Sequence, residues 1–142
     1  MKNIKSNVKP CTILIVEDHD TLRETLRKWL STTFPDCVFF DAKKGEDAVD
    51  LAEAEKPDIV IMDIGLPGIS GIEATRHIKH ALPEVQVIML TIHDAPEYRN
   101  DAVEAGAFAF VPKHKMYSEL IPTIEKLLSN TGKTKIKGHK SI

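Results

Sequence analysis

Three apolar runs in this chain each end abruptly on polar residues: Ile13-Leu14-Ile15-Val16 on Glu17-Asp18, Ile59-Val60-Ile61-Met62 on Asp63, and Val87-Ile88-Met89-Leu90 on Thr91. Short, uninterrupted branched runs are what parallel strands buried on both faces look like in sequence. Such strands need crossover connections, and their carboxyl ends open onto one edge of the sheet. The polar residues that stop the runs are therefore predicted to share one site.

Helical start signals separate the runs. Thr21-Leu22-Arg23-Glu24 reads as a capping box ahead of Leu22, Leu26, Trp29 and Leu30 at helical spacing. Ser70-Gly71-Ile72-Glu73 and Asp94-Ala95-Pro96-Glu97 repeat the device before the third and fourth helices, with Pro96 in a first turn where its missing N–H is harmless. Gly106 supplies a helix stop. Val38-Phe39-Phe40 reads as the second strand, with a helix after Gly45. Phe108-Ala109-Phe110-Val111 reads as a fifth strand before a last helix around residues 119–129. Five strands alternating with five helices predict an α/β fold, a doubly wound parallel sheet with helices on both faces. In a chain of 142 residues the flavodoxin-like order 2-1-3-4-5 is favoured. Strands two and five are then edges, where Pro112 at a strand end is tolerated.

With 42% hydrophobic and 28% charged residues, the chain suits one globular domain. No leader-like segment and no run approaching a membrane span is present, which predicts a cytoplasmic protein without membrane insertion. Cys11 and Cys37 lack the spacing of a zinc or thioredoxin-like pair and are expected to be buried reduced thiols. All 21 acidic residues lie between Glu17 and Glu125, whereas Lys2, Lys5, Lys9, Lys133, Lys135, Lys137 and Lys140 lie outside that span. Residues 11–130 thus hold 12 of the 19 Lys and Arg against all 21 acids, a net of −9. The expected organisation is a basic N-terminal arm (1–10), a domain (11–130) and a basic, flexible C-terminal tail (131–142). The acidic body argues against direct DNA binding by the domain.

In the predicted strand order the crevice lies between strands one and three, outside the ends that carry Glu17, Asp18 and Asp63. Three carboxylates converging there repel one another unless a cation sits among them. A hard divalent ion such as Mg²⁺ suits oxygen-only ligands and leaves room for a phosphate oxygen. Thr91 and Lys113 end strands four and five, offering a hydroxyl and an ammonium to a phosphoryl group. A carboxylate can attack phosphorus to form an acyl phosphate, and Asp63 is the candidate nucleophile. Taken alone it would be a loop aspartate before the Pro67-Gly68 turn. Polar residues at the ends of four strands favour the site.

Over roughly residues 11–130 the sequence resembles the response-regulator receiver domains of two-component signalling. The resemblance rests on Val16-Glu17-Asp18, on Met62-Asp63-Ile64-Gly65-Leu66-Pro67-Gly68-Ile69-Ser70-Gly71-Ile72-Glu73-Ala74, on Leu90-Thr91, and on Ala105-Gly106-Ala107 leading to Lys113. The middle stretch is most similar to receivers fused to LuxR- and NarL-type helix-turn-helix domains, and the expectation is a receiver lacking that output domain. The resemblance implies that Asp63 accepts a phosphoryl group from a histidine kinase, a histidine phosphotransfer protein or a small phosphodonor. Glu17, Asp18, Asp63 and the backbone carbonyl of Gly65 would hold Mg²⁺, with Mn²⁺ as a substitute. Lys113 would pair with the phosphoryl group and Thr91 would move to hydrogen-bond it. Phe110 would be the rotating aromatic switch, so that a surface binding an output protein or a second copy changes. No conventional turnover enzyme is implied, only self-phosphorylation and slow self-dephosphorylation.

The chain departs from the family where Pro112 precedes Lys113 and His114 follows it, so the cis lysine–proline loop of many receivers is not carried over. Gly65 and His93 stand two residues beyond Asp63 and Thr91, at positions that overlook the phosphoryl group in the family. His19 reads as a loop residue rather than a metal ligand. Trp29 reads as core, and Tyr98 as either packing or partner-facing. His77 and His80 read as helix-surface residues. Competing readings are a receiver-fold binding module that ignores phosphorylation, the receiver fragment of a DNA-binding regulator, an aspartate-nucleophile phosphohydrolase and a flavodoxin. The phosphohydrolase lacks a general acid close after Asp63. The flavodoxin would need a phosphate cradle where the chain presents Glu17 to Asp20.

Overall fold

The computed structural model describes residues 10–131; the basic arm and tail, with their seven lysines, otherwise lie outside the described residues. Eleven elements follow in order: β1 (Thr12–Val16), α1 (Asp20–Thr33), β2 (Val38–Ala42), α2 (Gly45–Glu55), β3 (Ile59–Met62), α3 (Gly71–Ala81), β4 (Gln86–Thr91), α4 (Pro96–Ala105), β5 (Ala109–Pro112), a single 3-10 turn (Lys113–Lys115) and α5 (Met116–Thr131). The strands form one parallel sheet in the order β2-β1-β3-β4-β5, the flavodoxin-like arrangement predicted above. No helix among the described residues is long and apolar enough to cross a membrane.

The unbroken apolar runs are explained by the two cores they separate. Ile13, Ile15, Ile59, Ile61, Ile88 and Leu90 pack on one face with residues of α1 and α5, among them Leu26, Leu30, Leu120 and Ile124. Leu14, Val16, Val60, Met62, Val87 and Met89 pack on the other face, against α2, α3 and α4 through Ala48, Ala52, Ala74, Ile78 and Ala102. Alternate residues of each central strand therefore enter different cores, and the runs themselves carry only apolar side chains.

Helix ends agree with the sequence patterns unevenly. Ser70 caps α3 as expected, its hydroxyl oxygen accepting the Glu73 N–H at 3.1 Å, and Gly106 ends α4 at φ 106°. α1 starts at Asp20, however, ahead of the predicted Thr21 cap: His19 is the N-cap, and its Nδ1 accepts the Leu22 N–H at 3.3 Å. Only three residues separate β1 from α1, so the imidazole supplies the acceptor that the helix needs as soon as the chain leaves the sheet. α4 is entered through Ala95 without a side-chain cap, and Asp94 does not serve as one. The buried stripe of α1 is Arg23, Leu26 and Leu30, with Leu22 and Trp29 only partly buried at its flank.

At Gly71 a helix closely approaches the sheet edge. Its N–H donates to the Ile64 carbonyl at 2.9 Å, and a Cβ there would collide with the Asp63 carbonyl oxygen. Glycine is what allows α3 to begin directly against the end of β3.

The cysteines depart from expectation: Cys11 and Cys37 are joined in a disulfide, their Cα atoms 4.7 Å apart. The cause is strand register, which sequence spacing does not reveal. β1 and β2 pair Thr12 with Val38, so the residues one step earlier face each other at the start of the two strands. The Val38 N–H donates to the Cys11 carbonyl at 2.8 Å, closing that end of the ladder. Protein purified without reductant and then unfolded is expected to show no free thiol on titration. Reduction is expected to lower its stability to urea by about 3.5 kcal/mol, the loop-closure value for a crosslink of this span; two free thiols at the outset would contradict the bond.

Candidate functional site

β1 and β3 are neighbours in register, Val16 opposite Met62, so the next residue on each strand emerges at the same edge. The ladder continues one step further: the Glu17 N–H donates to the Ala42 carbonyl and the Asp63 N–H to the Val16 carbonyl, both at 3.1 Å. These bonds fix the backbone from which the two carboxylates project. Glu17 and Asp63 are buried and Asp18 is exposed, and one ligand atom from each lies within 4.8 Å of the others.

Lys113 enters this cluster from the turn after β5. Its Nζ lies 2.8 Å from Glu17 Oε1 and 3.1 Å from Asp63 Oδ2. Burial on its own lowers the ammonium's pKa, but the hydrogen bonds and charges of Glu17 and Asp63 outweigh it and hold the group above its ordinary 10.5. The second Glu17 oxygen accepts the His19 N–H at 3.0 Å. Asp63 Oδ1 is the exception: it is buried, with no hydrogen-bond partner among the described residues.

The other predicted residues stand around this centre. Thr91, fully buried at the end of β4, accepts the His93 N–H on its hydroxyl oxygen at 3.1 Å. Gly65 lies in the loop after β3 directly beneath the His93 ring, since a Cβ at Gly65 would come within 2.7 Å of His93 Nε2. His93 also packs against Tyr98, ring centroids 5.3 Å apart. Phe110 is not in the carboxylate cluster. It is partly buried beside the α2–α4 core, with the Arg99 guanidinium 4.5 Å from its ring centroid.

Three contacts in and around the site escape the sequence patterns. Arg23 reaches the Glu17 carbonyl, Arg99 covers Phe110, and His19 caps α1. Arg23 did carry a signal, because residues 23, 26 and 30 share one helical face and a charged residue on an apolar stripe needs a buried partner. Tyr98, left open above between packing and partner contact, is exposed and stacks on His93.

The donor set fits a hard divalent cation. Three carboxylates face one ammonium, and a buried carboxylate oxygen has no partner. Oxygen donors of this kind suit Mg²⁺. The Nδ1 of His19 is engaged in capping and takes no part.

The sequence matches the family described as the response regulator receiver domain over residues 13–125. The chain belongs to that family. It is 33% identical over 123 residues to the transcriptional regulatory protein DegU of Brevibacillus brevis, an alignment covering 87% of this chain and 52% of the relative. It is 34% identical over 117 residues to the response regulator UvrY of Escherichia coli strain K12, covering 82% and 54% respectively. The chain thus spans about half the length of the curated relatives it matches. Among solved structures, a LuxR-family two-component response regulator from Aurantimonas sp. SI85-9A1 superposes with a TM-score of 0.79 at 35% identity, over 86% of this chain and 87% of that one. A LuxR-family DNA-binding response regulator from Staphylococcus aureus gives 0.77 at 31% identity, over 82% and 98%.

Replacing Lys113 by Met leaves the Glu17 and Asp63 carboxylates without their ammonium, and is expected to lower the stability of the metal-free domain by about 1–3 kcal/mol. Because the folded-state ammonium titrates above its unfolded value of 10.5, the wild type's advantage is fully present below that pH. It fades as the pH rises through the folded-state value. Urea unfolding of both proteins between neutral and strongly alkaline pH checks the direction.

Proposed function

We propose that this receiver domain takes a phosphoryl group on Asp63 from a histidine kinase or histidine phosphotransfer protein, on the cytoplasmic side of the membrane. The modification then alters a surface bound by an output protein or by a second copy of the chain. The observation that carries this reading is the state of the Asp63 carboxylate. One oxygen is held by Lys113, the other is buried and unpartnered, and Glu17 and Asp18 stand within 4.8 Å.

In the transfer, an Asp63 oxygen bonds to phosphorus as the phosphorus–nitrogen bond of the donor phosphohistidine breaks, and the imidazole nitrogen takes the electron pair. Lys113 orients the nucleophile beforehand and remains to pair with the phosphoryl oxygens. Mg²⁺ on Glu17, Asp18, Asp63 and the Gly65 carbonyl would neutralise phosphoryl charge. The Thr91 hydroxyl, now an acceptor for the His93 N–H, still has its own proton to offer a phosphoryl oxygen. Phe110 is the aromatic residue that would follow a shift of Thr91, and Arg99 over its ring is the contact such a shift would break.

Intact-protein mass spectrometry after incubation with Mg²⁺ and acetyl phosphate is expected to show one phosphoryl adduct that is absent in Asp63→Asn and absent without the ion. A well-folded wild type that takes up no phosphoryl group from acetyl phosphate or from histidine kinases would overturn the reading.

The His93 ring lies over Gly65, two residues beyond Asp63, and its backbone N–H donates to the Thr91 hydroxyl, which supports a role for the ring in limiting water access to a phosphoryl group on Asp63. His93→Ala is expected to hydrolyse its aspartyl phosphate several-fold faster than the wild type by admitting water. Decay of the adduct followed by mass gives the answer, and an unchanged half-life would remove His93 from the account.

A further inference from the structure

We infer that Arg23 is a positioning residue for the acidic loop at the end of β1, setting where Glu17 and Asp18 present their carboxylates to a divalent cation; this rests on the metal-assisted reading of the site. The guanidinium is buried, with only 9% of the side chain exposed, and donates through Nη1 to the Glu17 carbonyl at 2.9 Å. Nη2 donates to Asp20 Oδ1 at 2.8 Å, and Nε lies 4.0 Å from Asp41 Oδ2 on β2. The backbone of the same residue joins in, its N–H donating to the His19 carbonyl at 2.9 Å. One side chain thereby spans the loop: strand end on one side, first turn of α1 on the other, edge strand behind.

Packing alone does not account for an arginine here. Leu26 and Leu30 occupy the same stripe of α1, and a third leucine would bury more apolar surface without desolvating a charge. What a leucine cannot do is satisfy the Glu17 carbonyl, at the residue where β1 gives way to the loop. The remaining groups of Glu17 are already committed, its N–H to Ala42, Oε1 to Lys113 and Oε2 to His19. With the carbonyl on Arg23, Glu17 is held at every polar atom, and Asp18 follows directly from that anchored residue and precedes the His19 cap of α1.

The sign of the effect separates positioning from charge. By Coulomb attraction alone, removing a cation would make the region more negative and tighten the binding of a divalent ion, although Asp20 keeps Lys43 and Asp41 keeps Arg27 as partners. Loss of the strap loosens the carboxylates and weakens it. Arg27 provides the control, because it ties the same helix to the same edge strand, donating to Asp41 Oδ2 at 3.0 Å and to the Phe39 carbonyl at 3.1 Å, without touching Glu17.

The test is calorimetric titration of the metal-free full chain with Mg²⁺, with thermal unfolding measured in parallel. Arg23→Met is expected to raise the Mg²⁺ Kd about tenfold, as loss of a group orienting metal ligands does elsewhere. Arg23→Lys, which keeps one donor for the Glu17 carbonyl, should fall between it and the wild type. Arg27→Met should lose thermal stability and keep the wild-type Kd. An unchanged or tighter Kd in Arg23→Met, or an equal weakening in Arg27→Met, overturns the inference while leaving the metal-site reading intact. A folded wild type that binds no Mg²⁺ overturns both. If Arg23→Met loses its native circular-dichroism spectrum, Arg23→Lys decides alone against Arg27→Lys, with a raised Kd in the former only as the supporting result and equal values as the overturning one.

Discussion

One ammonium holds together a cluster that would otherwise push itself apart. Glu17 and Asp63 project from adjacent strands to the same edge, where two charges about 4 Å apart repel by about 4 kcal/mol at the effective dielectric of a protein boundary. Lys113 touches both, so each carboxylate has a counter-charge close at hand. Asp18 and the second oxygen of Asp63 are left over. That arithmetic of three negatives and one positive suits the site to a cation. The strand order matters for the same reason. Only with β1 beside β3 do residues 17 and 63 become neighbours, and only with β4 and β5 beyond them do Thr91 and Lys113 face the same side.

Much of this was legible in the sequence, because a doubly covered parallel sheet tolerates polar residues only at its ends. The runs ending at Val16, Met62 and Leu90 announced three central strands, and what followed each run announced the site. The order of strands came from the number of βα units and the chain length, and the sheet has that order. Failures cluster where a contact depends on geometry between elements. The bond between Cys11 and Cys37 depends on the pairing of Thr12 with Val38, a register that no spacing rule encodes. Arg23 signals a buried partner by its place on an apolar stripe, but not which one until β2 supplies Asp41 and the β1 terminus supplies a carbonyl. The misplaced start of α1 had a different source: a Thr-x-x-Glu pattern is present, but the chain had no room to wait for it.

The two sides of the site are built differently. On the β1 side, hydrogen bonds close every polar atom of Glu17, and the loop to α1 has only three residues. On the β4 side, α4 is entered without a side-chain cap and buries only Ala102 and Ala105. Its longer side chains make ring contacts at the surface instead, Tyr98 with His93 and Arg99 with Phe110. Contacts of this kind contribute about 0.5–1.5 kcal/mol each, less than a buried leucine does.

On the proposed reading, that difference bears on where new charge at Asp63 would be felt. The Glu17 side has no slack with which to respond, since moving it breaks bonds to β2, to α1 and to Lys113 at once. The Thr91 side can respond at small cost. A rotation of the Thr91 hydroxyl gives up one bond to the His93 N–H, and the next groups outward are rings resting on exposed side chains of α4. A perturbation spreads along the path whose contacts are weakest. Under the proposed phosphorylation of Asp63, the response would therefore fall on Thr91, His93 and the surface of α4 and β5 rather than on the acidic loop.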